Sequence, residues 1–152
     1  MAWTDGIQAS ADTKRGRQLL ASAKGCGALG VQHPEGPSLA KGDAATAGAL
    51  ATRMGLPQIP AAAEAILIAR DIRLAEMTGA PLHFGHVSTG EGLDLIRQAK
   101  ARGLAVTCDT APPYFALNEE AIGEFRTYAK LSPPLRAEED RLAVCAALAD
   151  GT

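Results

Sequence analysis

The sequence predicts a parallel β/α architecture, and three observations carry that expectation. Short apolar runs alternate with helical patterns along the 152 residues. The runs are apolar at successive positions, as strands buried on both faces require. Glycines close several of the helical stretches, where a left-handed cap belongs. Two folds share this signature, an open doubly wound sheet and part of a barrel. Nucleotide fingerprints are missing. There is no GxxxxGK[ST], and "GCGALG" at 25–30 precedes a strand instead of opening a helix, so it reads as a turn.

The elements follow in order. "MAW" leads into Thr4, Asp5 and Gly6 as a first strand. Residues 12–24 read as a helix with Gly25 as its stop, and "GALGVQH" as a short strand ended by Pro34. "PEGPSLAKGDAATAG" is rich in Gly, Pro and Ala and reads as a long loop. "IPAAAEAILIARDIRLAEMTG" is the clearest helix, with Pro60 suited to its first turn and Gly79 to its end. Ile66, Leu67, Ala69, Ile72, Leu74 and Met77 make its expected apolar face. "PLHFGHV" is the next strand. "TGEGLDLIRQAKARG" follows as a helix with Thr89 as N-cap and Gly103 as stop. "LAVTCDT" is a further strand, "APPYFALNEEAIGEF" a loop and short helix, "TYAKLSPPLR" an irregular segment, and "AEEDRLAVCAALADG" a closing helix.

Bulk properties narrow the function. A formal net charge of -2 with no long run of one sign argues against a nucleic-acid partner. No apolar run is long enough to span a membrane, and the N-terminus lacks the regions of a signal peptide, so a cytoplasmic location is expected. Cys26, Cys108 and Cys145 are odd in number and widely spaced, with no CxxC, and read as small buried hydrophobes.

In parallel β/α proteins, chemistry gathers at the C-terminal ends of the strands. Here four strands end on Asp5, His33, His86 and Asp109. Carboxylate and imidazole are the ligand types that zinc takes when thiolates are absent. Each residue also has a structural reading, as a hydrogen-bonded histidine or an Asp capping a turn. Side chains three apart on a regular strand point opposite ways, so His83 and His86 do not both aim inward. His86, nearer the strand end, is expected to join His33. His83 is expected to pack under helices or to hydrogen-bond a neighbour.

Five segments, in order, resemble dihydroorotase of the amidohydrolase superfamily, a class that also resembles allantoinases and hydantoinases. They are "WTDG" at 3–6, "QHPEGPSLA" at 32–40, "MGLPQIPAAAEAILIARDIRLAEMTG" at 54–79, "HFGHVSTGEGLDLIRQAKARGLAVTCDTAP" at 83–112 and "KLSPPLR" at 130–136. The resemblance implies a (β/α)8 barrel of the metal-dependent amidohydrolase type with one or two zinc ions. It implies reversible hydrolysis of dihydroorotate to N-carbamoyl-L-aspartate in pyrimidine biosynthesis. It places His33 and His86 on two single metal histidines and Asp5 on a metal carboxylate, and it gives Asp109 no ligand role. The loop from Gly36 to Pro57 would lie near the mouth of the site.

The departures are as informative. The family's opening His-x-His strand and its carboxylate-binding Arg are absent. The Asp that serves as general base would lie beyond Thr152, so no catalytic residue is expected within the chain. Residues 1–152 are therefore expected to form one partial barrel domain, from the end of the family's fourth strand to the helix before its eighth, and to be inactive in isolation. Ser132 stands where the family has a substrate-contacting Asn, "PPY" at 112–114 replaces Pro-His-His, and "AATAG" at 44–48 replaces Met-Asn-Glu-Gly. Two alternatives stay open: a non-catalytic scaffold that supports aspartate transcarbamoylase, and an allantoinase- or hydantoinase-like cyclic amidohydrolase. A partial barrel exposes unpaired edges and apolar faces, so a homodimer or a marginally stable chain is expected.

Overall fold

The computed structural model describes residues 1–4, 9–40, 42 and 44–152. Its strands are β1 (Ala2–Thr4), β2 (Leu29–Gln32), β3 (Ala45–Thr46), β4 (Gln58–Ile59), β5 (Leu82–Phe84) and β6 (Val106–Cys108). Its helices are α1 (Thr13–Gly25), α2 (Pro37–Ala40), α3 (Ala49–Met54), α4 (Ala62–Thr78), α5 (Gly90–Ala101), α6 (Pro112–Ala116) and α7 (Glu138–Asp150). Four strands form one parallel sheet in the order β1-β2-β5-β6, and β3 and β4 form a separate parallel pair.

Strand order and helix placement decide between the two expected folds. The sheet order follows the chain without reversal. Helices α1, α4, α5 and α7 pack in succession, each on the next. Leu20 of α1, Ile68 and Ile72 of α4, Leu93 and Ile96 of α5 and Val144 of α7 share one core with Leu82, Phe84 and Val106 of the sheet. All the crossover helices therefore cover one face, as in a barrel wall, and a doubly wound sheet is ruled out. The opposite face carries the row Thr4, Val31, His83 and Thr107, of which Thr4 and Thr107 are exposed. The strands are thus apolar toward the helices, Gln32 apart, and mixed toward the other side, where continuous apolarity was expected.

The helix limits follow from local chemistry. Asp12 caps α1 by accepting from the Lys14 and Arg15 amides at 2.8 and 3.1 Å. Thr89 caps α5 through the Gly92 amide at 3.2 Å. Gly79 ends α4 with φ 63°, a left-handed turn that glycine adopts without a Cβ penalty.

Cys26, expected to be buried, is exposed, and Cys108 and Cys145 are half-buried. Two further expectations need correction. The face of α4 that is buried runs through Glu64, Leu67, Ile68, Asp71, Ile72, Leu74 and Ala75, while Ile66 and Met77 are 55% and 71% exposed. Two acidic residues lie in that stripe, which is why an apolar-only reading rotated it. The stretch 34–57 is also more than a loop. It holds α2, β3 and α3, and Ala45, Ala51, Tyr114, Ile122 and Leu135 build a second small core there. This core sits on segments that leave the C-terminal ends of β2 and β6, so it flanks the rim where the site lies. Among the described residues, no helix is long and apolar enough to cross a membrane.

Candidate metal centre

The rim begins one step beyond the last paired residues Gln32, Phe84 and Cys108. The next row is His33, Gly85 and Asp109. The Gly85 amide donates to the Gln32 carbonyl at 2.9 Å and the Asp109 amide to the Phe84 carbonyl at 3.0 Å, so the ladder reaches this level. His86 lies one residue further on and turns back with φ 59°, in the left-handed region that non-glycine residues seldom enter. Strand alternation therefore does not govern His86, since β5 stops at Phe84. The turn brings its ring against that of His33, with centroids 5.5 Å apart and planes at 70°.

His33 is buried, and His86 is exposed at the rim. Both line a cavity of about 390 Å³ with Gln32, Gly85, Asp109 and Ser132. A larger cavity, about 520 Å³, lies between β1, β2, α1 and α4 and contains neither histidine.

Glu35 was not singled out from sequence, yet its carboxylate organises this corner. His33 Nε2 meets Glu35 Oε2 at 3.3 Å, and the Ser132 hydroxyl donates to the same oxygen. Partial burial works to raise the Glu35 pKa. The hydrogen bonds from His33 and Ser132, with the charges of His33 and Arg136, outweigh it and hold the carboxyl below its usual range. In the neutral form of the His33 ring, a carboxylate at Nε2 places the proton on that nitrogen and leaves Nδ1 with the free lone pair.

Asp109 carries a second set of contacts. It accepts the His86 amide at 2.6 Å on Oδ1 and meets His83 Nε2 at 3.0 Å on Oδ2. The other ring nitrogen of His83 meets Thr107 Oγ1 at 2.7 Å. His83 therefore hydrogen-bonds neighbours on the face away from the helices. Partial burial pushes the Asp109 pKa up, but the bonds from His83 and the His86 amide, and both histidine charges, bring it below its usual value.

The rim is braced from behind by a buried polar network that sequence reading also missed. Glu64 and Arg136 are 1% and 3% exposed. Glu64 accepts the Ser88 and Thr89 hydroxyls at 2.6 Å each and the Thr89 amide at 2.9 Å, and the Ser88 amide reaches both carboxylate oxygens. Arg136 Nη2 lies 3.8 Å from Glu64, its Nε donates to Ser88 Oγ at 3.0 Å, and Nη1 donates to Thr46 Oγ1 at 3.3 Å. The Tyr114 hydroxyl donates to the Pro133 carbonyl at 2.9 Å. The signal was present in "AEAILIAR", "HVST" and "PPLR", whose polar residues fall inside otherwise apolar segments.

Of the residues expected to form the site, His33, His86 and Ser132 come together on one cavity. Asp109, set aside by the resemblance, is on it too. Asp5 lies outside the described residues. Among the described residues, no group of three His, Cys, Asp or Glu side chains is arranged to hold a cation. The two imidazoles share one cavity and are donors of a type zinc takes, so these residues fit a metal ion as part of a ligand set.

No family model matches the chain. Curated relatives do. The dihydroorotase of Desulforapulum autotrophicum is 48% identical over 136 residues, 90% of this chain and 32% of its own length. That of Desulfotalea psychrophila is 47% identical over all 152 residues, 36% of its own length. The D-hydantoinase (dihydropyrimidinase) from Thermus sp. superposes with a TM-score of 0.75 at 28% identity, over 92% of this chain and 32% of that one. The chain spans about a third of the length of the relatives it matches. Along its whole length it is thus homologous to one third of a dihydroorotase.

Proposed function

We propose that this chain supplies part of the metal centre of a zinc-dependent dihydroorotase, which opens the cyclic amide of dihydroorotate to N-carbamoyl-L-aspartate in cytoplasmic pyrimidine synthesis. The observation that carries the proposal is the His33–His86 ring pair at the C-terminal rim of a parallel sheet. The sequence around it is nearly half identical to dihydroorotases. In this reading His33, His86 and Asp5 are metal ligands, and residues 1–152 form one domain, an arc of a barrel.

Zinc held there would act as a Lewis acid on a ring carbonyl. The chain's own residues prepare the place. Glu35 orients the His33 ring, Asp109 fixes the backbone of His86, and Ser132 offers the cavity a hydroxyl beside Glu35. No general base is assigned within the chain, so the isolated chain is expected to be inactive.

The test is a transplant. This chain replaces the matching segment of the Desulforapulum autotrophicum dihydroorotase, and dihydroorotate hydrolysis and zinc content are measured. An active, zinc-containing chimera that loses both with His33→Ala or His86→Ala supports the proposal. A folded chimera without zinc or turnover contradicts it and favours a scaffold for aspartate transcarbamoylase. Turnover of hydantoin or allantoin in place of dihydroorotate would move the substrate to those relatives' class.

A further inference from the structure

We propose that Asp109 and His83 form a latch that sets the direction of the His86 ring. The inference rests on the reading of His33 and His86 as metal ligands, but its geometry stands on its own. His86 holds a left-handed backbone at φ 59°, which puts a non-glycine residue at a steric cost. Something must offset that cost. The short bond from the His86 amide to Asp109 Oδ1, 2.6 Å, is a charge-assisted contact aimed at that residue.

The carboxylate is itself fixed. With Asp109 ionised, His83 Nε2–H donates to Oδ2 at 3.0 Å, which leaves Nδ1 to accept the Thr107 hydroxyl at 2.7 Å. Thr107 and His83 are cross-strand partners on adjacent parallel strands, so sheet register holds the far end of the chain of bonds. Both ends of the Asp109 carboxylate are therefore used, one by the sheet and one by the turn. The Val87 amide donating to the Asp109 carbonyl at 2.9 Å closes the turn from the other side. His83 and Asp109 are positioning residues in this account. Neither needs to touch the ion.

The experiment compares the 152-residue chain with its Asp109→Ala, Asp109→Asn and His83→Ala variants. Three readouts are taken: exchange of the His86 amide, the nuclear Overhauser effect between ring protons of His33 and His86, and Co2+ affinity by visible absorption. Val144→Ala serves as a control that lowers stability away from the rim, since Val144 is buried on α7. The expected result is fast exchange, loss of the ring–ring effect and a roughly tenfold to hundredfold weaker Co2+ affinity in Asp109→Ala. Asp109→Asn, which keeps an acceptor for the amide, recovers part of each, and Val144→Ala changes none. Unchanged exchange and ring–ring effect in Asp109→Ala and His83→Ala would overturn the latch. If the wild-type chain binds no Co2+ while exchange and the ring–ring effect still depend on Asp109, the latch stands and the metal reading fails.

Discussion

Removing the Glu64 carboxylate tests the account of how the rim is held. Glu64→Ala takes the acceptor away from the Ser88 and Thr89 amides, both in buried residues, and from two hydroxyls. Each buried amide left without a partner costs about 1–3 kcal/mol. Arg136, 3% exposed, loses its counter-charge, and breaking a buried pair in this way costs about 3–5 kcal/mol. These contributions overlap, since Arg136 keeps Ser88 Oγ and Thr46 Oγ1, and the Thr89 hydroxyl keeps the Gly92 amide. A net loss of about 4–6 kcal/mol follows, comparable to the whole stability of many domains. Glu76 offers the contrast. It pairs with Arg73 at 2.9 Å and Arg102 at 3.4 Å, but on the surface, so Glu76→Ala should cost less than about 1 kcal/mol. Urea unfolding followed by circular dichroism at 222 nm reads both. A loss under about 1 kcal/mol in Glu64→Ala would refute the buried network.

Other outcomes follow from single contacts. Gly92→Ala should destabilise by about 1–3 kcal/mol despite alanine's helix propensity, because its Cβ would lie 2.8 Å from Ile68 Cδ1, 2.9 Å from Thr89 Oγ1 and 3.0 Å from Glu64 Oε1; thermal melting measures it. Asp12→Ala should cost about 1 kcal/mol through loss of the α1 cap, read as a lower urea midpoint with an unchanged slope. Glu35 and Asp109 have carboxyl pKa values below their ordinary ones. Their contribution to stability is therefore complete above the unfolded values, about pH 4, and is lost as pH falls through the folded ones. The Glu35→Gln/Asp109→Asn double variant should show a shallower loss of stability below pH 4 than the wild type; an equal slope would show that the two carboxyls are not held as described.

What could be read from sequence divides along physical lines. Alternating apolar runs, the Thr89 cap and the Gly79 stop are local signals, and the structure places those elements within a few residues of expectation. Winding is not local. Only strand order and the single helix layer separate a barrel arc from a doubly wound sheet. The meeting of His33 with His86 was expected from strand-end placement, but the device that achieves it was not. A left-handed residue after Gly85 replaces strand parity, and no periodicity announces that turn. Glu35, Glu64 and Arg136 were hidden for another reason. Charged residues are usually exposed, so three that are buried or nearly so show only when their partners, far away in sequence, are in place.

The most direct measurement is the zinc content of the chimeric dihydroorotase that carries this chain, beside its His33→Ala and His86→Ala variants. Zinc should be retained through dialysis by the chimera with both histidines intact and lost from both variants, with the variants folded by circular dichroism. Equal zinc in all three, or none in any, would contradict a metal centre built on these two histidines.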